Sequence, residues 1–122
     1  MTIRPALSLL LLIATGLIGC AGAGGTRTAS VPTSLDEAQA LAAASGKPLL
    51  VDFYTDWCSA CALFAADGEA DERLIAALDE VVLVKIDAES EGDGQRLAKE
   101  FAVHGYPTFI VADARGETIA RW

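Results

Sequence analysis

Two cysteines three residues apart, Cys58-Ser59-Ala60-Cys61, stand where a short apolar run from Leu49 to Tyr54 gives way to a segment of helical periodicity. An apolar run of that length reads as a buried strand. A dithiol at a strand-to-helix junction restricts this chain more than any other feature, because it fixes both a local architecture and a chemistry. At the first turn of a helix, unpaired N–H groups and the macrodipole favour a thiolate, which makes Cys58 the reactive sulfur. Cys61, one turn further in, is more shielded and suited to resolving a mixed disulfide formed by Cys58. Exchange of that kind needs no cofactor.

The surrounding pattern supplies the other elements. Ser34 precedes Leu35-Asp36-Glu37, a capping-box arrangement that starts a helix, and Gly46 followed by Pro48 ends it. The strand Leu49 to Tyr54 contains Asp52, a carboxyl within an otherwise apolar stretch. Desolvation there should raise its pKa, as a proton relay near neutral pH requires. Helical spacing continues from about Cys58 to Ala66, breaks near Gly68 and resumes from Asp71 to Leu78. Val81 to Ile86 reads as a second buried strand and Gln95 to Phe101 as a helix. Thr108 to Val111 and Glu117 to Ala120 flank the turn Asp113-Ala114-Arg115-Gly116, giving an antiparallel hairpin. Parallel strands joined by a helical crossover and followed by a hairpin make an α/β fold, a central mixed sheet flanked by helices.

A third cysteine has a different setting. Arg4, the apolar run Ala6 to Ile18 and Leu17-Ile18-Gly19-Cys20 resemble a bacterial lipoprotein signal with its lipobox. Residues 1–20 are accordingly expected to be a signal peptide, with Cys20 lipidated. The apolar run is too short for an ordinary transmembrane helix. Residues 21–34 are rich in Gly, Ala, Thr and Ser and read as a flexible linker, spanning roughly 20 Å as a coil and about 45 Å when straight. The glycines at 22, 24 and 25 lack the preceding strand and the Lys-Ser/Thr pair of a phosphate loop. Residues 35–122 are accordingly expected to form one small domain on the outer face of a membrane, in an oxidising compartment. The net charge of -8 at pH 7 argues against nucleic acid as a partner.

Val51-Asp52-Phe53-Tyr54-Thr55-Asp56-Trp57-Cys58-Ser59-Ala60-Cys61 resembles the active-site segment of thioredoxin-like thiol:disulfide oxidoreductases. Gly105-Tyr106-Pro107-Thr108, more than forty residues on, resembles their cis-proline loop. The resemblance is nearest to the C-terminal periplasmic domain of the DsbD proteins and covers about Leu35 to Thr118. It implies a thioredoxin-like fold, with Cys58 as nucleophile, Cys61 as resolving thiol and Asp52 as the buried acid that shuttles its proton. It also implies that Trp57 and Pro107 shape the substrate surface; Tyr106, directly before Pro107, is placed either to gate the site or to pack. The implied partners are protein thiols and disulfides and a transmembrane electron donor, and the domain is expected to act as a monomer.

The departures from the family pattern are informative. Ser59-Ala60 lacks the Pro of typical thioredoxins and the His of strong oxidants, which points toward a reductant or electron relay. Ala62 stands where relatives carry a basic residue. The family's final helix is missing after the last strand, so either the sequence is incomplete at Trp122 or one sheet face is partly bare. Zinc is a poor alternative: four ligands are needed, and only His104 could join the cysteine pair. His104 is read as a loop residue beside Pro107. A purely structural disulfide in a binding or assembly protein is the other reading, but closing so short a loop stabilises by about 2 kcal/mol or less.

Overall fold

The computed structural model describes residues 31–122. The expected signal peptide, Cys20 and most of the linker lie outside the described residues. Eight elements follow in order: α1 Leu35–Ser45, β1 Leu49–Tyr54, α2 Ser59–Ala70, α3 Glu72–Asp79, β2 Val82–Asp87, α4 Asp93–Glu100, β3 Thr108–Ala112 and β4 Thr118–Arg121.

Helix α1 starts as its sequence dictates. Ser34 is extended and its hydroxyl accepts from the Glu37 N–H at 3.2 Å. The Glu37 carboxylate turns back one residue further than a standard capping box, accepting from the Thr33 N–H at 2.9 Å. Gly46, at φ 70°, ends the helix in the left-handed conformation and donates its N–H to the Ala42 carbonyl.

The expected break at Gly68 does not occur. Helix α2 runs through it to Ala70, and the chain breaks at Asp71 instead. A glycine inside a helix costs only about 1 kcal/mol, whereas an aspartate offers a cap. Asp71 closes α2 through its N–H to the Asp67 carbonyl, and its carboxylate accepts from the N–H groups of Arg73 and Leu74 to open α3. Helix α4 begins two residues earlier than the periodicity predicts, because Gly92 at φ 87° turns the chain directly into it.

The four strands are ordered β2-β1-β3-β4. β1 runs parallel to β2 and antiparallel to β3, and β3 and β4 form the hairpin with Gly116 at φ 88° in its turn. Alternation along β1 divides the core. Leu49, Val51 and Phe53, with their neighbours Val84, Ile86, Ile110 and Ala112, pack against Ala38 and Ala42 of α1 and Leu97 and Ala98 of α4. Leu50 and Asp52 point to the opposite face, together with Phe109 and Val111 of β3. That face meets α2, where the rings of Phe64 and Phe109 lie 4.6 Å apart. Leu50, Phe64, Leu74, Leu78, Val81, Phe109, Val111 and Trp122 line an apolar groove there of about 290 Å³.

Candidate active site

Strand β1 delivers the chain through Thr55, Asp56 and Trp57 to Cys58, which is the N-cap of α2. Cys58 and Cys61 are joined as a disulfide, with Cα atoms 5.3 Å apart. The Cys58 sulfur also accepts the Cys61 N–H at 3.1 Å. A sulfur in that position faces the positive end of a twelve-residue helix whose first turn has no carboxylate to compete with it. The Cys58 N–H donates to the Thr55 carbonyl, and its own carbonyl accepts from Ala62. Cys58 and Cys61 are 7% and 5% exposed, so the difference in shielding between them is smaller than their positions suggested.

Asp52 is 1% exposed, and neither of its carboxylate oxygens has a hydrogen-bond partner among the described residues. Burial raises its pKa, offset in part by the positive charge of Lys85. Lys85 is the β2 residue paired with Asp52 in the parallel ladder, and Phe109 is its β3 neighbour. Asp52 therefore sits on the sheet face that meets α2, the helix carrying Cys61. The Lys85 ammonium lies 4.9 Å from the centre of the Tyr54 ring, while Tyr54 has its own pKa raised by burial and by Asp87, Asp56 and Asp52. Thr55, 2% exposed, is a second buried polar side chain whose hydroxyl lacks a partner among the described residues.

The third part of the site comes from the turn before β3. The Tyr106–Pro107 peptide bond is cis, and the Thr108 hydroxyl donates to the Gly105 carbonyl at 2.7 Å across the turn. Thr108 pairs with Phe53 near the end of β1, which brings this turn to the end of the sheet that carries Cys58. Trp57 and Tyr106 meet edge to face, ring centres 5.8 Å apart and planes at 82°. Trp57 is 68% exposed, and its indole N–H donates to both carboxylate oxygens of Glu89 at 3.1 Å. Tyr106 also packs against the core, so it serves both places at once. His104 is exposed on the loop before this turn.

Lys85 and Glu89 were not among the residues singled out in the sequence. The strand pairing that sets Lys85 beside Asp52 depends on register, and Glu89 reaches Trp57 across 32 residues of chain. The lysine within Val82–Asp87 was the one available signal.

A family model described as thioredoxin-like matches residues 31–114. The chain belongs to the thioredoxin-like family. Among solved structures, this thioredoxin-like chain is similar to mitochondrial thioredoxin 3 of Saccharomyces cerevisiae, at 30% identity and TM-score 0.56, covering 75% of this chain and 78% of that one. It is also similar to a thioredoxin from Thermus thermophilus, at 26% identity and TM-score 0.63, covering 74% and 72%. Among curated proteins it is 40% identical over 85 residues to the thiol:disulfide interchange protein DsbD of Ralstonia nicotianae. That match covers 69% of this chain and 14% of the relative, so the thioredoxin-like chain spans only a small part of the DsbD length. The chain thus joins the thioredoxin-like fold to a disulfide at Cys-x-x-Cys spacing.

Proposed function

We propose that this chain reduces disulfides of exported proteins, or relays electrons to them, through the Cys58–Cys61 pair. The observation that carries the reading is Cys58 as the N-cap of α2, its sulfur accepting the Cys61 N–H while bonded to the Cys61 sulfur. In the reduced protein that setting stabilises a Cys58 thiolate. The thiolate attacks a substrate disulfide, a bond forms from Cys58 to one substrate sulfur, and the other leaves as a thiolate that takes a proton from water. Cys61 then gives its proton to the Asp52 carboxylate and attacks the Cys58 sulfur. The second substrate thiolate leaves, and the Cys58–Cys61 disulfide is formed. Two electrons have passed to the substrate, and a dithiol donor must return them.

Asp52 suits the proton step because its raised pKa lets it hold and release a proton closer to neutral pH than an exposed carboxyl does. Trp57, Tyr106 and Pro107 form the surface on which an extended substrate segment lies. Ser59-Ala60, without a His, favours the reducing direction. Lipidation of Cys20 would hold the domain on the extracytoplasmic face, within reach of a transmembrane electron donor. Among the described residues no helix is long and apolar enough to cross a membrane.

Trapping tests the reading. Cys61→Ala, expressed in the source bacterium, should accumulate mixed disulfides between Cys58 and exported proteins, and Cys58→Ser should accumulate none. Recovery solely of proteins that oxidise thiols would reverse the assigned direction. A wild-type pair unable to reduce insulin would remove the activity.

A further inference from the structure

The indole of Trp57 is largely in solvent yet held at two points. Its N–H donates to both oxygens of Glu89, and its ring meets the edge of Tyr106. An exposed tryptophan with neither contact would sample several rotamers, and ordering it would oppose binding of a substrate. The loop that presents Glu89 is itself built. The Glu89 N–H donates to the Asp87 carboxylate at 3.0 Å, and its carbonyl accepts from the Gln95 side-chain amide at 2.9 Å. The Ser90 hydroxyl and N–H both donate to the Asp87 carbonyl, and Gln95 N–H donates to the Ser90 carbonyl. Gly94 closes the loop where a Cβ would collide with the Asp87 carbonyl oxygen and the Ser90 hydroxyl. Glu89 is therefore fixed on both sides of its Cα, and its carboxylate is spent on Trp57.

From this we infer that Glu89 is a positioning residue for exchange with protein disulfides: it holds Trp57 as a preformed wall beside Cys58, so that a polypeptide substrate meets an ordered surface. The inference rests on the exchange reading above. Glu89 touches no reacting atom, so its effect falls on recognition of a large substrate and not on the sulfur chemistry. A small disulfide that reaches Cys58 without leaning on the indole is indifferent to it.

The test uses the full chain as wild type, Glu89→Gln and Glu89→Leu. Gln keeps an acceptor oxygen and removes the charge, while Leu removes the acceptor. Each is assayed with insulin and with 2-hydroxyethyl disulfide, a small neutral substrate, and the Trp57 indole N–H resonance is followed in 15N-labelled protein. Glu89→Leu should raise KM for insulin roughly five-fold, the size of one lost hydrogen bond, with kcat and the small-disulfide rate within about two-fold of wild type. Its indole resonance should shift and broaden, and Glu89→Gln should restore both KM and resonance. An unchanged KM in Glu89→Leu overturns the proposal. So does an equal loss in Gln and Leu, which assigns the effect to charge, and so does an equal loss on both substrates, which assigns it to general disruption. Inertness of the wild type toward both disulfides would instead remove the exchange reading, while the resonance would still report the Trp57–Glu89 bond.

Discussion

Asp52 and Lys85 are partners across the parallel ladder of β1 and β2, a buried carboxyl beside an exposed ammonium. Burial drives the Asp52 pKa up, and Lys85 opposes it with the smaller effect. The fold therefore makes ionisation of Asp52 costlier than it is in the unfolded chain.

The sign of the pH dependence follows from that direction. A raised folded pKa contributes stability that is fully present below the unfolded value of 3.8 and is lost as pH rises through the folded value. Asp52→Asn should be more stable than wild type at pH 7, and the gap should close toward pH 4. Urea unfolding at the two pH values measures it. The same variant should resolve mixed disulfides more slowly, and equal resolution rates across neutral pH would take the proton relay from Asp52.

Removing the opposing charge acts in the other direction. Lys85→Met should raise the Asp52 pKa further, so the pH dependence of mixed-disulfide resolution should move to higher pH. Rapid-quench measurement of resolution between pH 5 and 9 would show the displacement. An unmoved profile would mean that Asp52 does not govern the step.

The Cys58–Cys61 bond closes a very short loop, so its contribution to folding is small. Reduced and oxidised protein should differ by about 2 kcal/mol or less in unfolding free energy. Parallel denaturant titrations with and without reductant provide the comparison. A much larger difference would favour a structural disulfide over a redox centre.

Gly94→Ala should destabilise the protein by about 1–3 kcal/mol, since the added methyl collides with the Asp87 carbonyl oxygen, which belongs to the backbone. Thermal unfolding would read the loss, and the Trp57 indole resonance would move with it because the same loop presents Glu89. A fully stable variant with an unchanged resonance would mean that this loop is looser than its hydrogen bonds indicate.

Much of this architecture is legible in the sequence. Strand β1 follows from an apolar run, α1 from Ser34 and Gly46, and the hairpin turn from Gly116, because each signal is local. The break at Gly68 was misplaced because glycine weakens a helix without ending it, while the capping carboxylate of Asp71 decides the boundary. Asp52 was visible as a charge in an apolar strand. Lys85 and Glu89 were not, since strand register and loop closure are properties of the folded chain.

Strand β1 has ladder partners along both edges, β2 on one side and β3 on the other. Its amide protons between Val51 and Phe53 should exchange with solvent only when the whole molecule opens, whereas loops with few ladder bonds open locally. Cys58 is thus mounted on the part of the protein that comes apart last.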